Sequence, residues 1–81
     1  MTDFNTAQYA FKNAVNLYND NNLNESIEQL NEILKIHPYH DKSLDLLGII
    51  YIKQNKADKA LKVINKSIEI NKDIKKYLDM K

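Results

Sequence analysis

Apolar residues recur along this chain at intervals of three and four, the period of an amphipathic helix and not of a strand. Tyr9, Ala10, Ala14 and Leu17, with Phe11, Val15 and Tyr18 on an adjoining strip, predict a first helix running to about Asp20. It starts at Asp3 or Thr6, both competent N-caps. Asn19 to Asn22 interrupt the pattern and predict a turn, because Asn and Asp bond their own backbone and tolerate left-handed conformations. A second helix starts near Asn24 and carries Ile27, Leu30, Ile33 and Leu34; Pro38 closes it by disfavouring a helical conformation at His37. A third spans Asp41 to Gln54, with Leu44, Leu47, Gly48 and Tyr51 on one face. Asn55 and Lys56 make the next turn, and a fourth helix runs from about Asp58 to Ile70 with Ala60, Leu61, Ile64, Ser67 and Ile68 inward. Beyond Asn71, a competent N-cap, Ile74, Tyr77 and Leu78 predict a short fifth helix over residues 72–80 that folds back on the fourth. Connections this short make neighbouring helices antiparallel hairpins.

The same pattern matches itself when shifted by 34 residues: Ala14 falls on Gly48, Leu17 on Tyr51, Ser26 on Ala60, Ile27 on Leu61, Leu30 on Ile64 and Leu34 on Ile68. Small residues meet small ones and large apolar ones meet large apolar ones. A period of that length signals stacked helical hairpins, none of which buries its apolar face alone. Such stacks work by presenting a surface to another chain.

Composition narrows the picture further. The chain has 81 residues, 43% hydrophobic and 28% charged, with one Gly and one Pro, which fits a single small all-α domain over residues 1–81. Without cysteine there is no disulfide framework, thiolate metal site or redox chemistry, which suits the cytoplasm. The N-terminus has no basic region followed by an apolar run, and no apolar stretch approaches the ~20 residues of a spanning helix. A soluble protein without membrane insertion is expected. The net charge of +1 conceals an asymmetry: residues 1–52 carry three Lys against seven acids, and residues 53–81 nine Lys against four. All twelve cations are Lys, which lack the planar fork that reads bases and phosphates bidentately. That disfavours nucleic acid as a partner but leaves a nucleic-acid-associated protein, using the Lys-rich C-terminal half, as the alternative reading.

The residues that carry the repeat resemble the tetratricopeptide family. The segment over residues 41–74 has that family's Leu-Gly pair at Leu47 and Gly48, the aromatic at Tyr51, the small residue at Ala60 and the bulky one at Ile64. The segment over residues 7–40 is degenerate in its first helix but ends in the usual apolar run and Pro38. Ala10, Asn13 and Lys72 depart from the pattern, standing where a large aromatic, a Leu and a Pro are common. The resemblance implies two tetratricopeptide-like hairpins plus a short C-terminal capping helix, a fragment of a right-handed superhelical α-solenoid. The small residues at Ala14, Gly48, Ser26 and Ala60 then mark where the two helices of each hairpin cross closely.

The resemblance also implies a concave groove lined by the first helix of each repeat: Gln8, Phe11, Val15, Tyr18 and Asn19, then Lys42, Asp45, Ile49, Ile52 and Lys53. Five of the ten are apolar, so the expected ligand is an apolar or amphipathic segment of another protein. The competing reading is that Phe11, Val15 or Ile49 simply pack under the C-terminal helix or against each other. Phe11 and Val15 stand where related domains that clamp acidic C-terminal tails use Asn and Lys, which argues against a carboxylate clamp. His37, His40 and Asp41 flank the inter-repeat turn without a fourth ligand and read as solvated turn residues, not a metal centre. No phosphate loop, Cys nucleophile or Ser/His/Asp set is present, so neither an enzyme nor a cofactor is expected. Two hairpins fall short of a self-sufficient stack, and a homodimer through the first helices or the groove is expected.

Overall fold

The computed structural model describes the backbone of residues 4–79 and the side chains of residues 6–72. Among the described residues it is all-helical: α1 (Phe4–Asn19), α2 (Leu23–Ile36), α3 (Asp41–Lys53) and α4 (Ala57–Asp79). The candidate cap Asp3 and the last residue of the expected fifth helix, Met80, lie outside the described residues.

The 34-residue period is visible in the backbone. Asn21 and Asn55 both adopt the left-handed conformation, with φ of 65° and 60°. The Asn21 N–H donates to the Tyr18 carbonyl and the Asn22 N–H to that of Leu17, at 3.0 and 2.8 Å. One period later the Asn55 N–H donates to Ile52 and the Lys56 N–H to Tyr51, again at 3.0 and 2.8 Å. This is the Schellman stop, which satisfies the last carbonyls of a helix while reversing the chain. The asparagines therefore end α1 and α3 in the same way and launch α2 and α4 in the same direction.

α1 packs on α2 and α3 on α4; α3 also touches α2 and α1. Among the described residues no contact joins α4 to α1 or α2. The smallest dimension, 18 Å, is about two packed helices deep. The buried core is Ala7, Ala14, Leu30, Ile33, Leu46, Leu47 and Ile50, drawn from the first three helices. Small residues set the hairpin crossings. Ala14 is fully buried and its carbonyl accepts a 2.8 Å hydrogen bond from the buried Ser26 hydroxyl. At the matching crossing, a Cβ on Gly48 would lie 2.9 Å from Ile64 Cγ1. The hydroxyl of Ser67, also buried, ties α4 to the start of α3, standing 2.9 Å from Asp41 Oδ1 and 2.8 Å from Asp45 Oδ1.

Three expectations are corrected. No separate capping helix exists: α4 runs unbroken through Asn71 to Asp79, since Lys72 occupies the place of a helix-stopping Pro and no Gly follows. The side chains of Ile74, Tyr77 and Leu78 lie outside the described residues. Leu61 and Ile68 do not point inward; they are 58% and 56% exposed, because among the described residues α4 meets only α3 and turns Ala60 and Ser67, with the half-buried Val63, Ile64 and Ile70, to its covered side. Tyr9 is 76% exposed, on a side of α1 that no other helix covers.

Candidate binding surface

α1 and α3 lie side by side and run in the same direction. The Phe11 ring sits 5.6 Å from that of His40 at the start of α3. Two turns on along α1, the Tyr18 ring lies 5.0 Å beneath the ammonium of Lys53 at the end of α3, within cation–π range. Between the first of these contacts and the surface lies a hollow of about 440 Å³ lined by Gln8, Phe11, Tyr39, His40, Asp41 and Lys42. The structure thus brings together Gln8, Phe11 and Lys42 around one hollow, and Tyr18 with Lys53 beside it.

The other residues of the expected groove divide by burial. Val15, like Phe11 and Tyr18, is half-buried and packed against the core. Asn19 and Asp45 are exposed, and Asp45 turns toward Ser67. Ile49 and Ile52 are exposed at 47% and 57%. Packing against the domain therefore accounts for part of the α1 strip, whereas the α3 strip is open.

Tyr39, His40 and Asp41 belong to the hollow but not to the expected groove. Tyr39 and His40 were hidden by their position in the interhelical turn, which periodicity does not address, and Asp41 by standing at the first residue of α3. His40 is not a solvated turn residue. It is half-buried at the N-cap of α3, and its Nδ1 accepts from the Ser43 N–H at 3.2 Å and faces the buried Ser43 hydroxyl at 2.6 Å. An accepting Nδ1 selects the tautomer protonated at Nε2. Burial pushes the His40 pKa below 6.5, and His37 and Lys42 push the same way against a smaller opposing pull from Asp41. The lowered pKa favours the neutral ring, whose Nδ1 acts as the helix cap, a job that Asp, Ser or Asn more often performs. Asp41, next in line, accepts from Ser67. Among the described residues no three His, Cys, Asp or Glu side chains converge as a metal site would require.

The repeat also defines two end faces. On α3, Ser43, Leu46, Leu47 and Ile50 are buried where the second hairpin meets the first. Their counterparts one period earlier are Tyr9, Lys12, Asn13 and Asn16, all exposed. The side of α1 that would receive a preceding hairpin is thus largely polar, and Asn13 in place of Leu is part of that change. The opposite end is different. Ile49, Ile52, Leu61 and Ile68 correspond to Val15, Tyr18, Ile27 and Leu34, which are half-buried against a core to which α3 contributes three side chains. On the second hairpin these positions keep their apolar character and lie open. No helix among the described residues is long and apolar enough to cross a membrane. Compared with known proteins, the chain matches no family model, no curated protein and no solved structure.

Proposed function

We propose that this chain is a non-catalytic, cytoplasmic protein-interaction module of tetratricopeptide type, an adaptor whose α1–α3 groove takes an apolar or amphipathic segment of another protein. The observation that carries this reading is the hollow between Phe11 and Lys42, with Ile49 and Ile52 exposed on the same helix α3. Soluble domains leave contiguous apolar surface open chiefly where something docks. Half-buried aromatics such as Phe11 and Tyr18 suit the role of anchors, because they offer a large contact area at small entropic cost. Gln8, Asp41 and Lys42 around the hollow supply hydrogen bonds and charges of both signs, so the preferred segment carries apolar residues with polar flanks.

Selection of peptides from a displayed random library against the immobilised chain tests this. Recovered peptides should be amphipathic, and Phe11→Ala and Ile49→Asp should weaken them while circular dichroism shows unchanged helicity. Binding that survives both substitutions, or helicity lost in step with binding, would refute the groove. Binding that falls steeply with salt and extends to single-stranded DNA would instead favour phosphate contacts by the lysines.

A further inference from the structure

We infer that the open end of the second hairpin pairs with the same end of a second copy of this chain, α4 against α4 in antiparallel, about a two-fold axis near Asn65. The inference rests on the two end faces and the charges of α4, not on the groove. The internal repeat shows what these positions do when a neighbour is present: Ile27 and Leu34 are half-buried where the second hairpin follows the first. Leu61 and Ile68, their counterparts, are more than half exposed. Among the described residues nothing folds back over them, since α4 continues as one helix through Asn71 to Asp79.

A second copy could dock head-to-tail or end-to-end. Head-to-tail docking would set Leu61 and Ile68 against Lys12, Asn13 and Asn16, burying polar groups opposite apolar ones. End-to-end docking sets apolar against apolar and leaves a polar face at each outer end, so the assembly closes at two copies and does not run on as a filament.

The charges on α4 select the antiparallel arrangement. Leu61 lies four residues before Asn65 and Ile68 three after, so a two-fold axis at Asn65 sets each Leu61 beside the partner's Ile68. Asp58 lies seven residues before the axis and Lys72 seven after, about 10 Å on either side at the helical rise. They meet across the pair with opposite sign. Lys62 and Glu69, three before and four after, form a second such couple. All six residues, with Asn65, are exposed on the monomer. A parallel pairing would instead set Asp58, Lys62, Glu69 and Lys72 each beside its own copy, like charge against like.

Sedimentation equilibrium of the full chain from micromolar to millimolar concentration is the primary test, and a monomer–dimer equilibrium is expected. Leu61→Glu with Ile68→Glu should weaken it at least about tenfold while helicity by circular dichroism is kept, because both side chains are exposed. Asp58→Lys should also weaken it, and adding Lys72→Asp should restore it; Lys12→Glu, at the polar end, should have no effect. A spin label at residue 65 should lie within about 20 Å of its copy, given helix spacings of ~8–10 Å. A monomer throughout the range, a dimer indifferent to the Leu61 and Ile68 substitutions, or open-ended polymers would each overturn the inference. Loss of peptide binding without loss of the dimer would strike the groove alone.

Discussion

Replacing Gly48 tests the closest approach in the fold. A Cβ at this position would stand 2.9 Å from Ile64 Cγ1, 3.3 Å from its Cδ1 and 3.5 Å from Val63 Cγ2. Carbon atoms at rest lie about 3.5–4.0 Å apart, so the first contact is short by roughly 0.6 Å and α4 or the Ile64 side chain has to give. Against this stands the intrinsic gain of about 1 kcal/mol when Gly leaves a helix interior for Ala. Gly48→Ala should therefore come out near neutral, the two effects offsetting. Gly48→Leu adds three more carbons in the same direction, and overpacking should destabilise by about 1–3 kcal/mol. In a domain of this size each ~1 kcal/mol shifts Tm by roughly 4–8 °C, so a fall of several degrees is readable by thermal melting. Ile64→Ala opens the space that Leu would occupy, and in that background Gly48→Leu should cost at least about 0.5 kcal/mol less, a coupling within reach of a double-mutant cycle. An unchanged Tm for Gly48→Leu, or strict additivity with Ile64→Ala, would refute the close crossing.

Two further predictions concern the polar contacts within the fold. Ser26→Ala removes a buried donor to the Ala14 carbonyl and should cost about 1 kcal/mol in a urea melt; no change would show that the bond contributes nothing net. His40 links stability to pH. Its folded pKa lies below 6.5, so just below that value the unfolded chain binds more protons than the folded one and stability rises with pH. The contribution is full above pH 6.5 and is lost as the pH falls toward the folded pKa. Denaturant melts on either side of pH 6.5 should show this step in the native chain and not in His40→Asn, which keeps a capping side chain without a titrating group. Equal pH slopes in the two proteins would refute it.

Much of the fold was legible because helix period and turn chemistry are local. Asn19 to Asn22 and Asn55 with Lys56 announced chain reversals, and both became left-handed stops at the expected period. Gly48, mid-helix and without a positive φ, signalled a close neighbour, and Ile64 is that neighbour. Apolar periodicity alone could not tell which flank of a stripe would be covered. Ile27 and Leu61 occupy the same place in their repeats, yet one is half-buried and the other open, since only the first has a following hairpin. The end of α4 was misread because Asn71 offers an N-cap without any residue that stops the preceding helix. At the surface, the helical part of the groove could be foreseen from spacing. The contribution of Tyr39 and His40 depends on how the turn after Pro38 sets them against Phe11, a long-range contact that no local pattern encodes.

Because α3 alone bridges the two hairpins among the described residues, the domain has a single articulation there. α4 gains its tertiary support from one helix, whereas α3 draws on three. Amide hydrogens should accordingly exchange in a graded order: slowest in α3 around Leu47 and Ile50, and faster in α4 over residues 57–72, which can part from α3 without disturbing the α1–α2 pair. A chain built this way can lend out its last helix while keeping its core intact.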